Sequence, residues 1–177
     1  METTDKKANV FPIHLRDGNV TTIHKETLQL INYIEKLYKP LMDEEPRIEI
    51  KGASDDGRIA ECHPFEGLFI IYEEQLLKFL EKKDDKDAAI FGIAAHEVSH
   101  AYSLKKVFLD TDIDFVMANE EINAKEIQDE AEEFYKKAKK EEKSEDEIVG
   151  YAVKNIIQFK VLKAKVTQII FQSFRYL

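Results

Sequence analysis

The stretch IAAHEVSHAYSL, residues 93–104, constrains this chain more than any other. His96 and His100 stand four residues apart with Glu97 directly after the first, and no proline or glycine interrupts the turn between them. Residues at that spacing share one face of a helix, so a helix here aims both imidazoles at one point and keeps Glu97 beside them. Ala89, Ile93, His96 and His100 fall on one face and Ile90, Ala94, Val98 and Ala101 on another. The helix is therefore expected to pack the second face and present the first to a cleft.

The surrounding pattern predicts an α+β chain. With six glycines and four prolines in 177 residues, 44% hydrophobic and 34% charged, it fits a helix-rich domain able to bury a core without disulfides. Residues 9–23 read as two extended pieces about an Asp17-Gly18 turn, with Pro12 confining the first to an edge. A helix follows from His24 until Pro40 stops its pattern. RIEIKGA, RIAEC and GLFIIY read as strands of a small, mostly antiparallel sheet. Helices are expected over about 73–82, 86–104, 115–141 and 146–175.

No repeat or linker divides the chain, so residues 1–177 read as a single domain, with a core over about 47–135 and a helical C-terminal segment over about 146–177. Ile127, Ala131, Phe134 and Ala138 give the charged helix over about 115–141 a thin apolar stripe. In the long last helix Val149, Val153, Ile156, Phe159, Leu162, Val166 and Ile169 recur at three-to-four spacing. Packing on the core is the expected use of that stripe, with a homodimer seam as the alternative.

With 35 acidic residues against 26 basic, the net charge of −9 argues against a nucleic-acid partner, which calls for clustered positive charge. The one cysteine, Cys62, allows no internal disulfide. The opening METTDKKANVF has no signal-sequence pattern, and no stretch is long and apolar enough to span a bilayer. A cytoplasmic location is expected.

Two imidazoles and one further ligand leave a fourth position open on a zinc ion, where water becomes a nucleophile and Glu97 can take its proton. The histidines are His14, His24, His63, His96 and His100, so any ligand downstream of the pair has to be a carboxylate. NEEINAKEI offers Glu120 and Glu121 about twenty residues on, enough for a loop and a return across the first helix. Asp110, Asp112 and Asp114 in LDTDID are alternatives.

From Ala60 through HEVSH to EINAK, the segment over about 58–135 resembles the core of gluzincin metallopeptidases of the HtpX type and of minimal gluzincins. The resemblance implies a zincin-like fold, Zn2+ as cofactor and hydrolysis of peptide bonds, with His96, His100 and Glu121 as ligands and Glu97 as general base and acid. Glu121 is favoured because the family's third ligand begins an E-x-x-A-D or E-x-x-A-N segment, and Glu121 with Ala124 matches it. Lys125 departs from that pattern: it donates only, where the family has an acceptor for a ligand histidine. GLFIIY would be the edge strand that pairs with a peptide substrate, with a buried central strand as the alternative. Tyr102, Tyr135, Tyr151 and Arg175 are candidates to steady an oxyanion.

Two other readings stand beside it. Cys62 upstream of the HExxH pattern is also the arrangement of peptide deformylases, and AECHPFE loosely resembles their cysteine segment. A non-catalytic or latent protein could instead work through its C-terminal helix on a partner, or keep the site blocked beneath that helix or the N-terminal hairpin.

Overall fold

The computed structural model describes residues 10–14, 20–108 and 113–174. Strands β1 (Val10–His14) and β2 (Val20–His24) form an antiparallel pair. The turn expected at Asp17-Gly18 lies outside the described residues. Helix α1 (Lys25–Met42) follows directly, and Pro40 sits inside its last turn rather than ending it. Proline removes one backbone donor there, and the helix stops two residues later at Met42, where the left-handed φ of 57° at Asp43 breaks the repeat.

Strands β3 (Arg47–Lys51), β4 (Ala60–His63) and β5 (Leu68–Tyr72) make the second sheet, in the order β3-β5-β4. β5 runs parallel to β3 and antiparallel to β4. The expectation that GLFIIY is the edge strand is therefore corrected: β5 is central, and all five of its residues are buried. Such an unbroken apolar run belongs to a strand covered on both faces, and the edges fall to β3 and β4 instead.

Short α2 (Glu73–Leu80) leads to α3 (Lys86–Tyr102), whose start is capped by the Asp85 side chain accepting from the Ala88 N–H at 3.0 Å. α3 lies between α1 and α4 (Ile113–Lys140) and against β4. Both of its apolar faces are consequently covered, Ala89 and Ile93 as completely as Ile90 and Ala94. Beyond its exposed first residues, Lys86 and Asp87, its surface opens only at His96, His100 and Tyr102. Ile127, Ala131 and Ala138 are fully buried along α4, with Phe134 partly so, as their spacing predicts.

Gly92 sets how closely α4 approaches α3. A Cβ there would stand 3.0 Å from the Gln128 carbonyl oxygen and 3.3 Å from the Glu132 Cβ. Gly92→Val is therefore expected to push the helices apart and to destabilise the fold by about 1–3 kcal/mol, the usual range for an overpacked core. Urea unfolding reads this as a lower midpoint; an unchanged midpoint would mean that the helices do not meet at this point.

The C-terminal part is one long helical rod. α5 (Glu145–Tyr151) opens on a capping box between Ser144 and Glu147, Ala152–Gln158 is wound as π-helix, and α6 (Phe159–Phe174) continues it. The expected stripe divides within this rod. Val149, Val153 and Ile156 are buried, whereas Phe159 is 61% and Val166 56% exposed, with Leu162 and Ile169 close to half exposed. The wide π turns advance the inward face by about one residue, so Ile157, Val161 and Gln168 take the buried positions. Among the described residues no helix is long and apolar enough to cross a membrane.

Candidate metal centre

His96 and His100 project from consecutive turns of α3, with Nε2 atoms 3.0 Å apart. Glu121 arrives from α4, its Oε1 lying 3.3 Å from His96 Nε2 and its Oε2 3.4 Å from His100 Nε2. Among the described residues, this is the group of histidine and carboxylate side chains close enough together to hold a metal ion, all of its ligand atoms falling within 4.8 Å of one another. Two ligands about 2.0–2.1 Å from an ion at a tetrahedral angle are about 3.3 Å apart, so the observed separations fit a small divalent cation. Two imidazoles and a carboxylate suit several first-row metals.

The two neighbouring glutamates divide the work. Successive helical residues point about 100° apart, so Glu121 reaches the Nε2 side of the pair while Glu120 passes behind it. Glu120 Oε1 lies 3.0 Å from His100 Nδ1, and its side chain is buried. A carboxylate there holds the ring's proton on Nδ1 and leaves the Nε2 lone pair, on the side of Glu121, free to bind a metal. The acceptor missing at Lys125 is thus supplied one residue before the ligand, while Lys125 turns away to pair with Asp129 at 2.6 Å. Asp110 and Asp112 lie outside the described residues, as does the side chain of Asp114.

Burial and charge sort the protonation states. His96 is pulled down to about 4, first by burial and then by the adjacent His100, which keeps it neutral and able to bind a cation. For His100, burial acts downward, but the Glu120 hydrogen bond and the charges of Glu120, Glu97 and Glu121 outweigh it and the net shift is upward. Glu97 is only 7% exposed. Burial lifts its carboxyl to about 7, with Glu121 and Glu61 adding to the rise and His100 opposing it.

These groups form the floor and one wall of a cleft of about 610 Å³. The opposite wall is β4 with its preceding turn, including Arg58, Glu61 and Cys62, and Leu104 closes one end. β4 pairs with β5 on one side only, so its other edge is a free row of backbone donors and acceptors. Cys62 is partly buried, and its thiol is pushed up by burial and by the charges of Glu97 and Glu120. It stands outside the group of three ligands. No residue of β1, β2 or α6 lines the cleft, so neither the hairpin nor the last helix covers it among the described residues.

The three tyrosines expected as oxyanion partners are elsewhere. Tyr135 is buried with its hydroxyl 2.8 Å from that of Tyr33, Tyr102 packs against the core, and Tyr151 stacks on Phe134 at 4.2 Å between ring centroids. Arg175 lies outside the described residues. The cation that does line the cleft is Arg58, paired with Asp56 and Glu61. Its only signal in the sequence is its place after the SDDG turn, thirty-eight residues before His96.

The chain matches no known protein family, no curated protein and no solved structure.

Proposed function

We propose that this protein is a zinc-dependent peptidase. The observation that carries the reading is the convergence of His96, His100 and Glu121 beside a buried Glu97 poised near neutral pH. Zinc held by these three side chains would act as a Lewis acid on water and on the scissile carbonyl. Glu97 takes the proton of the attacking water on its carboxylate and delivers it to the leaving nitrogen, and a carboxyl titrating near 7 suits both roles. An extended peptide pairs with the free edge of β4, which carries it across the three ligands. Arg58 at the rim is placed to receive negative charge on the substrate or on the carbonyl oxygen as it develops.

The test is zinc per chain by elemental analysis, on the parent protein and on Glu121→Ala and Glu120→Ala. The parent is expected to hold one zinc. Glu121→Ala should lose it, and Glu120→Ala should weaken it by about 10–100-fold, the usual effect of removing the partner that orients a ligand histidine. A parent chain that takes up no zinc overturns the reading.

The outward apolar face of α6, with Phe159 and Val166 more than half exposed, supports a second reading in which the protein binds a partner helix there. A zinc-free parent would favour that reading over the first.

A further inference from the structure

A second cavity, of about 290 Å³, lies behind Glu120 between α4, α6 and the π-helical turn Ser103–Val107 that ends α3. Phe108 and Phe171 form apolar sides, Ala164 leaves room between them, and Asn123 and Ser103 add polar points. Gln168 lines it from α6, one helical repeat beyond the buried Val161, where the inward face of the rod calls for an apolar side chain. It is 4% exposed. Among the described residues neither its Oε1 nor its Nε2 has a hydrogen-bond partner. Burying a carboxamide with both ends unpaired is costly, so a glutamine here destabilises the protein unless something in the cavity pairs with it.

The charges around the cavity are already matched. Glu120 is held by His100, and Lys160 bridges Glu126 and Glu130 at 3.8 and 3.0 Å, while Lys163 is exposed at the rim. A neutral ligand therefore fits better than an ion. To satisfy both atoms of Gln168 at once it must present an N–H donor and a C=O acceptor side by side. The trans peptide group points these two in opposite directions, whereas a primary carboxamide or a lactam edge aligns them. The aromatic sides favour a flat body.

We propose that this cavity binds a small, uncharged, planar molecule carrying a carboxamide or lactam edge, recognised by Gln168 between Phe108 and Phe171. The site shares Glu120 as a wall with the metal centre but does not depend on the chemistry there.

Benzamide is the probe, titrated into the full-length protein and followed by the side-chain NH2 resonances of Gln168, with N,N-dimethylbenzamide and toluene as probes of similar shape lacking the paired edge. Benzamide is expected to bind saturably and to shift those resonances, with both controls at least tenfold weaker. Gln168→Leu, which removes two unpaired buried groups and should fold, is expected to lower benzamide affinity at least tenfold. Ala164→Phe, which fills the space from the other side, should do the same. Absence of saturable benzamide binding, equal binding of dimethylbenzamide or toluene, or unchanged affinity in both variants would overturn the assignment.

Discussion

Glu97→Gln is expected to keep one zinc per chain while slowing cleavage of a peptide substrate by about 10²–10⁴-fold, the range over which a positioned acid–base group acts. The change conserves size and leaves His96, His100 and Glu121 untouched, so metal content and catalysis separate cleanly. A carboxamide in place of the carboxylate can still hold a water by hydrogen bonds, but it accepts no proton and has none to return to a leaving amine. Steady-state rates on a defined peptide, with zinc measured on the same samples, decide the matter. A variant that keeps both its zinc and the parental rate would remove Glu97 from the mechanism.

The same substitution should be visible without any metal or substrate. Burial raises Glu97 from 4.5 to about 7 in the folded protein, so the folded state holds its proton over a range where the unfolded chain has already released it. Stability contributed by the protonated carboxyl is complete below about pH 4.5 and is lost as the pH rises through 7, because the folded state binds more protons across that window. A difference of that size corresponds to about 3 kcal/mol at most. His96 works the other way, its depressed value costing stability as the pH falls below 6.5 towards 4, but that contribution is common to both proteins and cancels in the difference. Chelator-treated Glu97→Gln should therefore match the parent near pH 4 and exceed it above pH 7, as read by urea midpoints. Parallel curves across the range would show that Glu97 is not held protonated by the fold.

How much of this arrangement could be read from the chain depends on how local the signal was. The two histidines and Glu97 sit within five consecutive residues, where helical geometry alone fixes their convergence. Glu120 and Glu121 were both visible as candidates, but only the angle at which α4 crosses α3 at Gly92 decides which faces Nε2 and which faces Nδ1. For β5 the resemblance favours an edge role, while LFIIY itself, lacking the polar alternation of a strand with a solvated face, carries the sign of the central strand it forms. Arg58 carried no local pattern at all, because what brings it to the cleft is the pairing of β4 with β5. The last helix was found, but its orientation was not, since a period count assumes one uniform pitch and the π-helical segment breaks that assumption.

That segment also makes the rod adjustable. An added residue within a helix turns everything beyond it by about 100°, much as a shim turns a bolt. The π turns already take up one such residue, so removing one from Ala152–Gln158 and restoring an ordinary α-helical pitch would leave Val161 facing the core and Phe159 facing outward, whereas one more residue added to them would swing α6 about its axis. A single-codon insertion, with no change in composition to speak of, is thus enough to change which side of the C-terminal helix this protein shows to its surroundings, while the matching deletion is silent.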